Sequence, residues 1–253
     1  MQVVTITNQK GGTAKTTTAW SLGVGLNKRG YRVLFVDLDA QTNLSFTANV
    51  DLLNLDTTLY DVFKGTAKVK DALIDLSDSM SILVGGIDLA SADREFTQLG
   101  REKMLSKALN TLKGDYDYCI VDTAPTLGVM NENALTASDT VIIPMQAEMY
   151  ALQGVNQLFG FIDDIRENAN PDLKIDGILV TRVDERTNLY KEMRKQFEHI
   201  AERMNTKVFE TPIRNTVAVG EVATVRGGNI FDEIPNASVT KDYTAFIDEF
   251  LKG

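Results

Sequence analysis

A chain of 253 residues, 43% hydrophobic and 24% charged, has the makeup of an ordinary globular protein that can bury a large core. Its net charge of −9 excludes a basic coat over the whole surface, but not a local basic patch. The single cysteine, Cys119, excludes an intrachain disulfide framework and fits a reducing cytoplasm; no apolar run approaches a membrane span, and the N-terminus shows no secretion signal.

In chain order, the run "VVTIT" (3–7) is a strand, and residues 16–29 form a helix that stops at Gly30. A second strand is "VLFVD" (33–37). Residues 49–80 are more polar and less regular. Within them, Thr58 followed by Asp61 starts a short helix by a variant of the capping box, and the segment reads as a surface insertion or short-helix connection. Further strands are "SILVG" (81–85), "YCIVD" (118–122), "TVIIPM" (140–145) and "GILVT" (177–181). Helices are predicted over 101–112, 150–168, 187–204 and 238–251. The strands are Val- and Ile-rich and nearly continuous rather than alternating, as in strands buried on both faces of a parallel sheet. Strand and helix in alternation predict an α/β fold: a doubly wound, mostly parallel sheet with helices on both faces. No linker, repeat or long charge run divides the chain, so one domain is expected over 1–253.

The chemistry gathers where strands end. The stretch "TNQKGGTAKTTTAW" (7–20) leaves the first strand, passes Gly11-Gly12 and reaches Lys15-Thr16-Thr17 at a helix start. In doubly wound sheets, ligands bind outside the carboxyl ends of the strands. There the helix N-terminus offers free N–H groups and a positive dipole end to a phosphate. The glycines let the backbone come close, Lys15 supplies a point charge for β- and γ-phosphates, and the Thr16 hydroxyl can complete a Mg²⁺ shell. A tight turn with an incidental K-T-T is the competing and weaker explanation of the loop by itself. It does not explain Asp37 and Asp39 at the end of the second strand and Asp122 at the end of "YCIVD". An apolar strand closed by Asp is the usual second nucleotide motif, holding Mg²⁺ through water. The loop nevertheless fails the ordinary G-x-x-x-x-G-K-[ST] pattern: Gln9 and Ala14 stand at the glycine positions, and a second lysine, Lys10, precedes Lys15 by five residues.

These residues resemble the deviant Walker A motif K-G-G-x-x-K-[ST] of P-loop NTPases. "DLDAQTNLS" is similar to D-x-D-P-Q-x-N, "IVDTAPTLG" to I-D-x-P-P-x-L-G, and "VIIPMQAEMYALQGVNQL" and "DERTNL" to further segments of ParA/Soj-type partition ATPases. The resemblance runs in order from residue 2 to about 250. It implies a Mg-ATP hydrolase of weak intrinsic turnover that forms an ATP sandwich homodimer. In that dimer Lys10 would cross to the partner's phosphates, Lys15 would hold the β- and γ-phosphates of its own subunit, and Asp39 would position the attacking water. Thr16, Asp37 and Asp122 would surround the metal. Gly11, Gly12, Thr13, Ala14 and Thr17 would cradle the phosphates, and Thr181, Arg182 and Pro212 are guesses for the adenine end. Three positions depart from the pattern: Ala14 replaces a glycine, and Ala40 and Ala124 replace prolines. The Cβ of Ala14 is expected to strain the loop or slow turnover.

The resemblance further implies nonspecific DNA binding, a ParB-like centromere-binding partner, and plasmid or chromosome partition as the task. The protein would be cytoplasmic and associated with the nucleoid when ATP-bound. Residues 182–226 hold nine Lys and Arg against seven Asp and Glu, a local excess of basic charge in a chain that is acidic as a whole. Arg186 matches a DNA-contact arginine of the family. A second appears as Ala218, for which Arg214 and Arg226 are candidate substitutes. Such contacts are to phosphate, salt-sensitive and without base readout. The competing expectation, from another class, is an ATP-driven positioning or regulatory switch that recruits a protein partner without DNA. A membrane role is disfavoured because the C-terminal "KDYTAFIDEFLKG" has acidic flanks. An iron–sulfur role lacks cysteine ligands. A dinucleotide site lacks G-x-G-x-x-G, and starting at strand 1 leaves no place for an N-terminal helix-turn-helix.

Overall fold

The computed structural model describes residues 1–148, 151–225 and 227–253. One eight-stranded sheet runs through the molecule in the order β3-β4-β2-β5-β1-β6-β7-β8. Its strands are β1 (Gln2–Ile6), β2 (Val33–Asp37), β3 (Leu73–Ser77), β4 (Met80–Val84), β5 (Tyr118–Asp122), β6 (Thr140–Gln146), β7 (Lys174–Val183) and β8 (Ile213–Arg214). All neighbours are parallel except β3, which lies antiparallel on β4 at one edge. This is the doubly wound α/β sheet expected from the sequence, and all six predicted strands are present within a few residues of their predicted bounds.

Near-continuous apolar strands are explained by the two faces. Val4, Phe35, Ile82, Ile120, Ile142 and Leu179 pack to one side, against α1 (Lys15–Asn27). Their strand neighbours Val3, Leu34, Leu83, Cys119 and Val121 pack to the other. Between β2 and β3 come two short helices, α2 (Asn43–Thr47) and α3 (Leu59–Lys64), the first following β2 and the second preceding β3. Then α4 (Ala92–Glu95), α5 (Met104–Asn110) and α6 (Val129–Ala137) accompany the second face. On β6 and β7 that face is covered by a third cluster including Phe159, Ile162 and Phe197, from α7 (Ala151–Asn168) and α8 (Asn188–Arg203). The last helices are α9 (Ala218–Thr224), α10 (Ile230–Glu233) and α11 (Ser238–Phe250), the last of which adds Tyr243, Phe246 and Ile247 beside α1. α1 lies close to the sheet because Gly23 faces Phe35; a Cβ there would fall inside the aromatic ring.

The segment 49–80 corrects the sequence expectation. Asp61 does accept from both the N–H and the hydroxyl of Thr58, at 2.9 and 3.0 Å, so the predicted helix start is real. But α3 buries Leu59, Tyr60 and Phe63, and β3 extends the sheet. The segment is part of the core and not only a surface connection. Its polarity misled because an edge strand and a short helix each bury one side. The predicted helix 101–112 is shorter, with a 3₁₀ turn at Arg101–Lys103 before α5. Tyr150, the predicted start of the helix that becomes α7, lies outside the described residues.

Candidate nucleotide-binding site

The loop between β1 and α1 is held by short-range turns and by the strands on either side. Asn8 donates its amide to the Pro144 carbonyl at 2.6 Å and accepts the Lys10 N–H at 2.9 Å, which starts the turn. Gly12 has φ 76°, a conformation natural to glycine. Ala14 has φ 66°, so it does sit in the left-handed region that its Cβ disfavours. From the neighbouring strands, the Gln146 amide donates to the Gly12 carbonyl at 2.5 Å and the Thr181 hydroxyl to the Thr13 carbonyl at 3.0 Å. The loop carbonyls are thereby turned toward the sheet. No side chain caps the first turn of α1, whose N-terminus faces the cavity through Lys15, Thr16 and Thr17.

The cavity measures about 600 Å³. At its loop end stand Gly11, Gly12, Ala14, Lys15, Thr16, Thr17 and Asp39. Lys15 is buried, and its amine donates to the Lys10 carbonyl at 3.1 Å. Burial lowers its pKa, while Asp122 and Asp39 pull it the other way. Asp39 accepts the Gln41 N–H at 2.9 Å through one oxygen.

Beneath the loop, Asp37 and Asp122 sit directly opposite each other at the ends of β2 and β5, both fully buried. Two carboxylates so placed cannot both ionise freely. Asp122 is pushed up to about 8, first by burial and then by repulsion from Asp37, against the pull of Thr16 and Lys15. One of its oxygens accepts the Thr16 hydroxyl at 2.6 Å; the other is buried with no hydrogen-bond partner. A buried carboxylate oxygen without a donor, whose partner oxygen bonds a threonine hydroxyl of the loop end, is the kind of ligand a hard divalent cation takes. Thr16 and Asp122 therefore fit Mg²⁺, with phosphate and water as the remaining oxygens. Asp37, expected beside the metal, stands directly opposite Asp122 with its carboxylate already engaged. Its carboxylate accepts the Ser45 N–H and hydroxyl at 2.9 and 2.7 Å and the Asp39 N–H at 3.2 Å. It braces the turn into α2, and burial pushes it up to about 6 despite those bonds. Among the described residues no group of three acidic, His or Cys side chains converges on one metal position.

The far end of the cavity is formed by Thr181 and Arg182 at the end of β7, by Arg214 of β8 with Asn215 and Thr216 just after it, and by Tyr243 of α11. Pro212 is not on this wall; the residues just after it are. Asn215, Thr216 and Tyr243 were missed by the sequence reading, because a two-residue β8 has no periodicity to reveal it. Arg182 lies in the left-handed region at φ 54° and reaches the Gly12 carbonyl at 3.4 Å.

The other predicted residues are scattered differently. Lys10 turns away from the cavity and ion-pairs with Glu148, just past β6. Arg186 is on an exposed loop, its guanidinium doubly bonded to Asp184 at 2.9 Å, which holds that carboxyl down at about 2. Arg214 belongs to the cavity wall, with its guanidinium doubly bonded to the buried Asp242 at 2.7 and 2.6 Å. Ala218 opens α9. Arg226 lies outside the described residues.

A strand, a backbone-lined loop with an inward lysine, a helix N-terminus and an Asp on the neighbouring strand define a P-loop NTPase site, here in its two-lysine form. Comparison with known proteins agrees. Residues 1–175 match the AAA domain family. Soj of Bacillus subtilis, a sporulation initiation inhibitor protein, is 38% identical over 222 residues, 87% of both chains. The chromosome partitioning protein ParA of Caulobacter vibrioides is 36% identical over 87% of this chain and 83% of its own length. The chain belongs to the ParA/Soj family of partition ATPases. Among solved structures, the cobyrinic acid a,c-diamide synthase of Mycobacterium smegmatis, with bound ATP analogue and magnesium, is 36% identical with a TM-score of 0.87, covering 100% of this chain and 94% of its own. Apo McdA of Cyanothece, 21% identical with a TM-score of 0.88 over 99% of each chain, shares the fold.

Proposed function

We propose that this protein is a Mg-ATP hydrolase that cycles between a monomer and an ATP sandwich dimer, binds nonspecific DNA as the dimer, and is reset by a ParB-like partner in plasmid or chromosome partition. The observation that carries this is the division of labour between two lysines of one loop: Lys15 is committed to its own cavity, whereas Lys10 faces outward. Membership of a family whose named relatives include chromosome partitioning proteins supports the task. The cavity is large enough for a nucleotide, with triphosphate at the loop end and base at the far end.

In the proposed cycle, Gly11, Gly12 and the start of α1 donate N–H groups to the phosphates, Lys15 neutralises the β- and γ-oxygens, and Thr17 meets the α-phosphate. Thr16 and Asp122 would hold Mg²⁺, which supplies charge neutralisation at the β- and γ-oxygens. Asp39, at the loop end of the cavity, orients the attacking water. Lys10 enters the facing subunit's site and offsets the charge of two juxtaposed triphosphates, so hydrolysis is coupled to dimerisation. No helix of the described residues is long and apolar enough to cross a membrane; the proposed cycle itself places the protein in the cytoplasm, on the nucleoid when ATP-bound.

A second reading, an ATP-driven positioning switch without DNA, draws on the arginines. Arg186 and Arg214 are each engaged by a carboxylate of their own chain, and the net charge is −9. Filter retention of DNA with ATP at two salt concentrations separates the readings. Partition predicts ATP-dependent retention at low salt, diminished at high salt and by Arg186→Glu. No retention at low salt, or retention indifferent to Arg186→Glu, favours the switch.

A further inference from the structure

The two lysines of the loop differ in their restraints. Lys15 is held by a backbone carbonyl inside the cavity. Lys10 is held by a side chain, the carboxylate of Glu148, with 41% and 50% of the two side chains exposed. Glu148 is not a loosely placed surface acid. Its N–H bonds the Gln146 carbonyl at 2.9 Å, and Gln146 in turn donates its amide to the carbonyl of Gly12, two residues past Lys10. The end of β6 and the residues just after it therefore grip the loop backbone at one point and its outward lysine at another. Lys10 is further fixed at its N–H by Asn8, which is itself anchored on Pro144 of β6.

We propose that Glu148 is a positioning residue: it parks Lys10 outside its own cavity in the monomer and releases it only to a second subunit's triphosphate. The inference rests on the reading of Lys10 as the residue that crosses between subunits. Two physical consequences follow. A half-exposed ion pair is weak, so a polyanion carrying several negative charges displaces a single carboxylate readily. The pair is still a restraint on each subunit, and dimerisation breaks two of them. Glu148 thereby raises the ATP and protein concentrations at which the dimer forms. It also keeps Lys10 away from the subunit's own phosphates, which suppresses hydrolysis in the monomer.

The test uses Asp39→Ala as a non-hydrolysing background and follows the dimer fraction by sedimentation against ATP concentration. Glu148→Gln keeps the shape and removes the charge. It is expected to lower the midpoint about two- to fivefold per subunit, with ATP affinity unchanged at concentrations where the protein stays monomeric. In the Asp39-intact protein, Glu148→Gln should raise basal hydrolysis. Glu148→Asp should restore part of the wild-type midpoint. Adding Lys10→Ala should erase the gain from Glu148→Gln, since the acid acts through that lysine. A midpoint that ignores Glu148→Gln, that moves upward, or that shifts equally without Lys10 overturns the inference alone. An ATP-loaded Asp39→Ala protein that remains monomeric overturns the shared-site reading as well, and so distinguishes the two failures.

Discussion

At the loop end of the cavity, six wall residues lie between Gly11 and Thr17; at the far end, the wall is assembled from the end of β7, from β8 and the residues just after it, and from a turn of α11. The loop end presents backbone N–H groups, one lysine and two hydroxyls, all directed by a single turn. The far end presents side chains brought together only when β8 joins β7 and α11 lies beside them. Phosphate is recognised by charge and by backbone, which a short contiguous motif can supply. A base is recognised by shape, which needs walls from several parts of the chain. The two ends should therefore fail differently when altered.

The largest effect is expected from Lys15→Ala. It removes the buried cation of the loop end, and ATP binding measured calorimetrically should weaken by about 2–3 kcal/mol, roughly 100-fold. Retained affinity would mean that the backbone alone holds the phosphates.

Next is the carboxylate pair below the loop. Asp122 is raised to about 8 and Asp37 to about 6. In the unfolded chain both titrate near 4. Between about pH 4 and 8 the folded protein keeps protons that the unfolded chain has lost. Stability of the metal-free protein should thus fall as pH rises through that window. Thermal melts at pH 6 and pH 8 should show a loss of about 3 °C or more on this account. Mg²⁺ with nucleotide should restore stability at pH 8, and Asp122→Asn should flatten the pH dependence. An unchanged slope in Asp122→Asn would place the titrating group elsewhere.

The far end should respond more mildly. Asp242→Asn frees the Arg214 guanidinium from two charge-assisted bonds, on a side chain that is 45% exposed. A loss of about 1–2 kcal/mol in stability is expected, with a fall in ATP affinity of a few-fold and no change in the Mg²⁺ requirement. Isothermal titrations against ATP and free triphosphate check this: only ATP should weaken. The smallest change is Ala14→Gly. The left-handed conformation costs an alanine about 1–2 kcal/mol, while a glycine's extra freedom in the unfolded chain returns about 0.5–1. A net gain of about 0.5 kcal/mol in denaturant melts is expected. A loss would show that the Cβ makes a contact worth more than the strain.

How legible each part was follows from how local its cause is. The strands were visible because burial on both faces leaves continuous apolar runs such as Val33–Val36. The start of α3 was visible because Thr58 and Asp61 satisfy each other three residues apart. The phosphate loop was visible for the same reason, down to the strained Ala14. β3 and β8 were not, since an edge strand of mixed burial and a two-residue strand carry no period. Asp37, alike in sequence context to Asp122, is more fully engaged because the serine at position 45 bonds one of its oxygens twice, whereas Asp122 keeps one oxygen without a partner.

The sequence by itself determined the sheet, the loop and the inward lysine, because hydrophobic period, turn chemistry and helix-start signals act between residues a few positions apart. Only the tertiary structure decided that Asp122 stands opposite Asp37 with one oxygen unpartnered, that Arg214 faces the cavity, and that Lys10 rests on Glu148. Those pairings join residues far apart in the chain, and they depend on which strand ends lie side by side once the sheet has closed.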